Sequence, residues 1–432
     1  MQTPLILPAP ELCRLVREAR ETTLKLVADL HDQQLEVPLL GTVNPFRWEL
    51  GHVAFFYDVF LLPALGERRF QLDGAEKLYD SFKIDHDDRW GLPLPSRQET
   101  IDYLARVQAR VLARLEAAAD DAQTTYLTLL SVIHEDMHAE AFAYMRQTLG
   151  YAAPPFGEAP REIGGGPLPG DVEIPGGVFQ LGATPGPYFT FDNEKWAHAV
   201  EVAPFRIARA PVTNAEYLGF VEDGGYRRPE LWSHQGWLWR SKAGAQHPDY
   251  WARGGAGWLR RHYDRYVDLE PHHPVVHVGW FEAEAYCAWA KRRLPTEAEW
   301  EMAASAAAAA PGGGKRRYPW GDDPPTPERA NLDGRRAGCV DVGAFPEGDS
   351  AFGCRQMIGN VWEWTASAFF PFPGYVVDAP YREYSAPWFG YRKVLKGGAW
   401  ATRPSFAWNT LRNFFTPDRR DAFAGFRTCA PD

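Results

Sequence analysis

Three histidines carry the strongest chemical signal in this 432-residue chain. His134 and His138 stand four apart in HEDMH (134–138), inside the apolar run 126–144. On a helix, positions four apart share a face, so both imidazoles would aim at one point. Neutral imidazole is the commonest side-chain ligand of transition metals, and a pair at this spacing makes half a metal site. Two other readings fit the same residues. The stretch matches HExxH, in which Glu135 would be the general base of a zinc protease. Alternatively, the pair lines a bundle interior without any ligand. A third ligand must come from another segment, and His52 in NPFRWELGHVAFFYDVF (44–60) is the best placed. Asn44 suits a helix cap there and Pro45 a first helical position. The neighbours Trp48, Val53, Phe55 and Phe56 turn His52 toward a core. Three histidines on two helices would leave coordination positions open, as metal-assisted chemistry requires.

The elements that must position these residues can be read from periodicity. One helix is predicted over about Pro10–Leu30 and a second after Asn44. A third starts at Ser96, which forms a capping-box pattern with Glu99, and runs to about Ala119. The fourth carries the histidine pair and stops before Gly150. Residues 1–150 are therefore expected to form a four-helix bundle with a metal inside. The connection 81–95, SFKIDHDDRWGLPLP, is richer in polar and aromatic residues than a plain linker needs. Pro and Gly recur over 151–177, which reads as a linker. From Val178 onward little helix is expected, apart from 280–293 and about 296–304, and the Ala/Gly run 303–314 reads as a surface loop. The class is α+β: a helical bundle, then an irregular α+β domain over 178–432.

Composition narrows the function. The chain is 45% hydrophobic and 14% aromatic with 17 tryptophans, which suits large cores and aromatic-lined pockets. A net charge of -10 without a long basic run argues against a nucleic-acid partner. No apolar stretch reaches membrane-spanning length, and the N-terminus lacks a signal-peptide plan. Five cysteines without a CxxC pair fit a reducing cytoplasm.

The second part resembles the formylglycine-generating-enzyme family, a variant of the C-type lectin fold. The matching stretches come in order: PVTNAEY (211–217), HPVVHVGW (273–280), RLPTEAEWE (293–301), YPWGD (318–322), GNVWEWT (359–365), KGGAW (396–400) and AGFR (424–427). Gly397, Gly398 and Gly425 in these stretches suit close backbone approach. The oxidases of that family bind copper through two cysteines, whose places here hold Asn409 and Thr428, with Cys429 one residue late. Copper chemistry is therefore not expected.

End to end, the chain resembles the ergothioneine-type sulfoxide synthases, non-heme iron enzymes that join a DinB-like bundle to such a domain. FDNEKWAH (191–198), GGYRRPELW (224–232) and RNFFTPDRR (412–420) share in the resemblance. It implies Fe(II) held by His52, His134 and His138. It also implies O2-dependent bond formation between a chalcogen and the imidazole C2 of hercynine. Tyr381 matches the segment of a catalytic tyrosine that gives a proton or hydrogen atom, and Tyr384 is a partner for hercynine. Asn413 and Phe414 match hercynine contacts, with an aromatic face suited to a trimethylammonium group. Met137 stands where a Gln is frequent. Arg419 matches a residue that binds the carboxylate of the sulfur donor.

The departures concern the donor. Members that take γ-glutamylcysteine carry an acidic residue where this chain has Phe415, and two arginines where the loop here gives His86 and Arg89. Asp85 and His86 suit hydroxyl groups better than an amino acid. The expectation is a selenosugar donor and selenoneine formation, with ergothioneine formation from cysteine or γ-glutamylcysteine as the alternative. A DinB-like metal-dependent thiol transferase and a non-enzymatic lectin-like module are the readings from other classes.

Overall fold

The computed structural model describes residues 4–155, 163–255, 257–306 and 314–431. The described chain forms two compact units. The first comprises the residues up to Pro155 together with Pro185–Phe189 and Asp378–Tyr384; the second comprises the remainder.

Unit one is built on α1 (Ala9–Lys25), α2 (Phe46–Phe56), α3 (Arg97–Ala117) and α4 (Ala122–Leu149). In α1, Leu12, Val16, Ala19 and Thr23 are buried, a spacing of four, three and four that puts them on one face. Ser96 and Glu99 form the reciprocal cap expected at the start of α3. Asp121 caps α4 by accepting from the amides of Gln123 and Thr124. Gly150 closes α4 in the left-handed conformation at φ 67°, where a side chain would be strained. Helix α2 buries ten of its eleven residues and runs directly into a π-helical turn, Tyr57–Leu61. Asn44 does not cap it, because its side-chain amide is drawn to Glu49 instead.

Unit two has mixed, irregular architecture. Strands β1 (Asp171–Ile174), β2 (Gly177–Leu181), β3 (His198–Val202) and β4 (Phe205–Ala208) form two antiparallel pairs, β1–β4 and β2–β3. Strand β1 thus lies inside the stretch read as a linker; four residues with one fully buried leave little alternation to detect. Strands β5 (Trp251–Arg253), β6 (Trp258–His262) and β7 (Arg265–Asp268) make a meander. The central sheet has the order β10 (Asn413–Phe415), β9 (Lys393–Lys396), β8 (Trp362–Ala368), β11 (Ala424–Gly425). The helices are α5 (Asn214–Glu222), α6 (His234–Ala243), α7 (Trp280–Ala290) and α8 (Glu297–Ser305). Unit two is therefore more helical than expected. The missed α5 is marked by a Thr213–Glu216 capping box, and α6 by the Ser233 cap. Of the loop expected over 303–314, residues 307–313 lie outside the described residues, and 303–305 belong to α8.

The resembling motifs meet in this core. Glu363 of GNVWEWT takes two hydrogen bonds from Arg427 of AGFR, at 2.6 and 2.7 Å, and one from Trp300 Nε1 of RLPTEAEWE at 2.8 Å. Lys396 of KGGAW pairs with Glu301 at 2.9 Å. A Cβ on Gly397 would stand 2.6 Å from the Met357 carbonyl, and one on Gly425 2.2 Å from that of Val275. Only glycine permits these approaches. Four of the motifs thus supply partners for one another's buried charges.

Candidate metal centre

His134 and His138 share the α4 face that meets α2. Their Nε2 atoms lie 3.2 Å apart. His52 joins from α2, with ring centroids 5.1 Å from His134 and 4.9 Å from His138. One ring nitrogen of each lies within 4.8 Å of the others. Among the described residues this is the one His/Cys/Asp/Glu group so arranged.

The supporting contacts fix which nitrogens are free. His52 Nδ1 is 2.8 Å from the Tyr79 carbonyl oxygen. A carbonyl only accepts, so Nδ1 carries the proton and the Nε2 lone pair stays available. Gly51 makes this possible, since a Cβ there would stand 2.1 Å from the Tyr79 ring. His138 Nδ1 lies 2.6 Å from Glu49 Oε2, an ion-pair distance that is off the hydrogen-bond axis. His134 Nδ1 is buried without a hydrogen-bond partner; its ring is held by stacking on Phe56 at 3.7 Å.

Electrostatics suits a cation. Burial, and then the charge of His138, lowers His52 to about 3. Burial, with His138 and His52, holds His134 well below the ordinary range. Burial alone would raise Glu49, but His138, His52 and the Asn44 hydrogen bond bring it down to about 2. The pocket thus offers the unprotonated imidazoles of His52 and His134 beside one buried carboxylate. Two nitrogens 3.2 Å apart need a shared proton or a cation between them, and a divalent transition metal fits this donor set.

The metalloprotease reading fails here. Glu135 is fully buried and receives Arg20 Nε at 2.7 Å from α1, so it is not a free base at the histidine cluster.

The segment 378–384 brings Tyr381 to the same unit, although both tyrosines were expected from the second domain. Tyr126 of α4 anchors it by donating to Asp378 at 2.7 Å. The Tyr381 ring lies 5.0 Å from Phe56, 5.5 Å from Phe60, 6.3 Å from Phe82 and 6.0 Å from His134. Desolvation, and then Glu383, pushes its phenol well above the ordinary value although the residue is only partly covered. Tyr384 Oη lies 4.0 Å from Met137 Sδ. Met137 and Tyr384 thus meet beside the histidine-bearing helix.

The donor-loop residues are more occupied than the sequence suggests. Asp85 is exposed and precedes the 3-10 turn His86–Gly91. His86 uses both ring nitrogens, on the Val43 carbonyl at 2.9 Å and on Asp87 at 2.8 Å. Arg89 donates to Asn44 Oδ1 at 2.7 Å and lies over Trp48 at 3.9 Å.

In unit two, Asn413, Phe414 and Phe415 form β10, so Phe414 faces the opposite side from the other two. Phe414 is buried and stacked on Phe369 at 4.0 Å; sequence adjacency does not give Asn413 and Phe414 a common face. Arg419 lies over Phe415 at 4.1 Å and grips both oxygens of Asp421 at 3.0 Å. Asn409, at a copper-cysteine place, donates to the backbone of Arg316. Thr428 accepts from Arg292. Burial raises the Cys429 thiol to about 12.

Sequence reasoning missed Glu49, Tyr79 and Gly51, and placed Phe56 only as a core neighbour of His52. Glu49 carries a signal, since it stands three before His52 on the same helical face. The Tyr79 carbonyl carries none, because backbone contacts have no residue code.

Comparison with known proteins bears on both units. Residues 15–146 match the DinB superfamily, and residues 156–431 match the sulfatase-modifying factor enzyme 1-like domain. The chain is 41% identical over 433 residues to a hercynine oxygenase of Mycolicibacterium thermoresistibile, covering 96% of this chain and 94% of that one. The chain belongs to the hercynine oxygenase family. It is an oxidoreductase with a DinB-like helical region and a formylglycine-generating-enzyme-like domain. A hercynine oxygenase of Mycobacterium tuberculosis is 40% identical over 434 residues, 97% of this chain and 98% of that one. A formylglycine-generating enzyme of Streptomyces coelicolor is 33% identical over 295 residues, 61% of this chain and 89% of that one. Among the described residues, no helix is long and apolar enough to cross a membrane.

Proposed function

We propose that this member of the hercynine oxygenase family forms a C–Se or C–S bond at imidazole C2 of hercynine, using Fe(II), O2 and a selenosugar donor, as a cytoplasmic selenoneine synthase. The observation that carries it is the convergence of His52, His134 and His138, in a chain alike over nearly its whole length to hercynine oxygenases. The chemistry Fe(II) supplies when bound is activation of O2 and coordination of an anionic chalcogen. The neutral imidazole set leaves the ion its full positive charge for that anion.

The chain's own residues bind, orient and move protons. Burial keeps the Tyr381 phenol protonated, so it serves as a proton or hydrogen-atom donor. Tyr384 and Met137, which meet on unit one, contact hercynine. Phe414 and Phe415 contribute aromatic surface, Phe414 through its stack rather than by direct contact. The donor preference is supported by the state of the arginines. Arg89 and Arg419 already hold partners, so a donor with two carboxylates must compete for them. A sugar needs hydroxyl partners, which Asp85 offers directly and His86 only by giving up one of its bonds. The names of the relatives favour a second reading, sulfoxide formation with a thiol donor on the way to ergothioneine.

The test is anaerobic loading with Fe(II), then O2 uptake with hercynine and equal concentrations of a 1-selenosugar, a 1-thiosugar, cysteine and γ-glutamylcysteine. Mass analysis should find predominant transfer from the sugar. Predominant transfer from γ-glutamylcysteine returns the protein to the ergothioneine reading. No O2 uptake with any donor removes both.

A further inference from the structure

The side chains that support His138 and His52 from behind both lead to one residue. Along the first route, Glu49 Oε2 stands 2.6 Å from His138 Nδ1. Glu49 Oε1 accepts from the Asn44 amide at 2.7 Å, and Asn44 Oδ1 accepts from Arg89 at 2.7 Å. Along the second, the Trp48 indole stacks on His52 at 4.8 Å and 10°, and the Arg89 guanidinium lies 3.9 Å from the same indole. The turn bearing Arg89 is itself tied down. His86 holds the Val43 carbonyl, and Trp90 Nε1 donates to the Val37 carbonyl at 2.7 Å.

We propose that Arg89 is a positioning residue of the metal centre, orienting His138 through Asn44 and Glu49 and His52 through Trp48. This rests on the three-histidine reading above. An arginine has five donors and no acceptor. Facing Asn44, it forces the amide oxygen toward itself and therefore the amide nitrogen toward Glu49. Without Arg89 the amide is free to turn over and present oxygen to a carboxylate, and Glu49 would lose its hold. The planar guanidinium donates in its plane while stacking on the indole. A lysine cannot do both. Groups that orient metal-binding histidines from behind typically contribute tenfold to a hundredfold in metal affinity.

The experiment titrates the metal-free full chain with Co(II) alone, under anaerobic conditions and without substrate, and reads affinity and the visible ligand-field spectrum. Arg89→Ala should bind Co(II) about tenfold more weakly or worse, with shifted bands. Asn44→Ala, which breaks only the hydrogen-bonded route, should weaken binding less and shift the bands in the same sense. Arg89→Lys should recover part of the affinity but keep a shifted spectrum. A folded Arg89→Ala protein with wild-type affinity and spectrum, impaired only in KM for the donor, would make Arg89 a donor residue and overturn the inference. If Arg89→Ala does not fold, Asn44→Ala decides: wild-type affinity and spectrum there overturn it equally. Failure of the underlying reading looks different. Wild-type protein would take up no stoichiometric Co(II), or His134→Ala would bind it as wild type does, and the inference would fall with it.

Discussion

Phe56 lies flat against His134, with ring centroids 3.7 Å apart and planes inclined by 14°. It is the last residue of α2, and the π-helical turn that follows keeps Phe60 close, at 4.5 Å from Phe56. His134 has no hydrogen bond at Nδ1, so this stack holds its ring. Phe56→Leu keeps an apolar side chain but removes the flat platform. It should cost up to about 1.5 kcal/mol in stability, as near volume-conserving core swaps do, and weaken metal binding beyond that loss. Denaturant melts with and without metal separate the two effects. Equal destabilisation in both states would leave Phe56 as core packing only.

Tyr381 meets the same Phe56 edge-on at 5.0 Å. Tyr381→Phe keeps this packing and removes only the phenolic hydroxyl, and with it the transferable proton. Donor and hercynine binding should persist, while coupling falls and simple oxidation of the donor rises by tenfold or more, the scale of a lost general acid. The product ratio by mass decides. An unchanged ratio would clear Tyr381 and move the test to Tyr384, which lies against Met137.

The helical part was legible because its signals are local. Ser96–Glu99, Gly150 and the spacing of His134 and His138 all act within one turn. The shared core of Trp300, Glu363 and Arg427 was legible only through resemblance, since those residues lie 63 and 64 positions apart in sequence. The placing of Tyr381 beside His134 depends on a segment more than two hundred residues away, held by contacts such as the Tyr126–Asp378 hydrogen bond and the packing of Tyr381 on Phe56. No periodicity encodes that. Resemblance assigns Arg89 and Arg419 to the donor; the sequence shows their charge but not the resident contacts with Asn44 and with Asp421 that a donor would have to meet.

Acid should destabilise the metal-free protein in a defined window. His52 is held at about 3, against 6.5 for an ordinary histidine, mainly by burial. Between those values the unfolded chain binds a proton that the folded chain refuses. Stability is therefore intact above pH 6.5, falls as pH drops below it, and stops falling from this source near pH 3. The slope is at most about 1.4 kcal/mol per pH unit for each such histidine. His134 adds to it in unit one, and His277, also held at about 3 by burial, in unit two. Urea unfolding of metal-free His52→Asn, against wild type, should show a shallower loss between about pH 6.5 and about pH 4.5. Parallel curves would mean that His52 takes up a proton freely in the fold.

The donor preference can be tested by freeing a single charge. Arg419 presents two nitrogens to Asp421, each at 3.0 Å, and lies over Phe415 at 4.1 Å. A carboxylate arriving with a thiol donor meets a guanidinium whose fork is already filled, and Asp421 is nearly fully buried, so the resident pair is little weakened by water. Asp421→Asn keeps the shape and removes the competing charge. One of its two positions toward Arg419 becomes an amide that cannot accept, and the freed guanidinium gains by taking a substrate carboxylate in its place. The lost charge-assisted contact is of order 1.5–3 kcal/mol, which corresponds to roughly tenfold to a hundredfold in selectivity. An uncharged sugar offers Arg419 only neutral hydroxyl acceptors and gains little. In competition at equal concentrations, Asp421→Asn should therefore raise transfer from cysteine and γ-glutamylcysteine relative to the selenosugar by at least about tenfold, with the KM of the carboxylate donors falling and that of the sugar unchanged. If the ratio stays at its wild-type value while the variant remains folded, Arg419 does not meet the donor carboxylate at all, and the preference must be set by Asp85 and the turn that follows it.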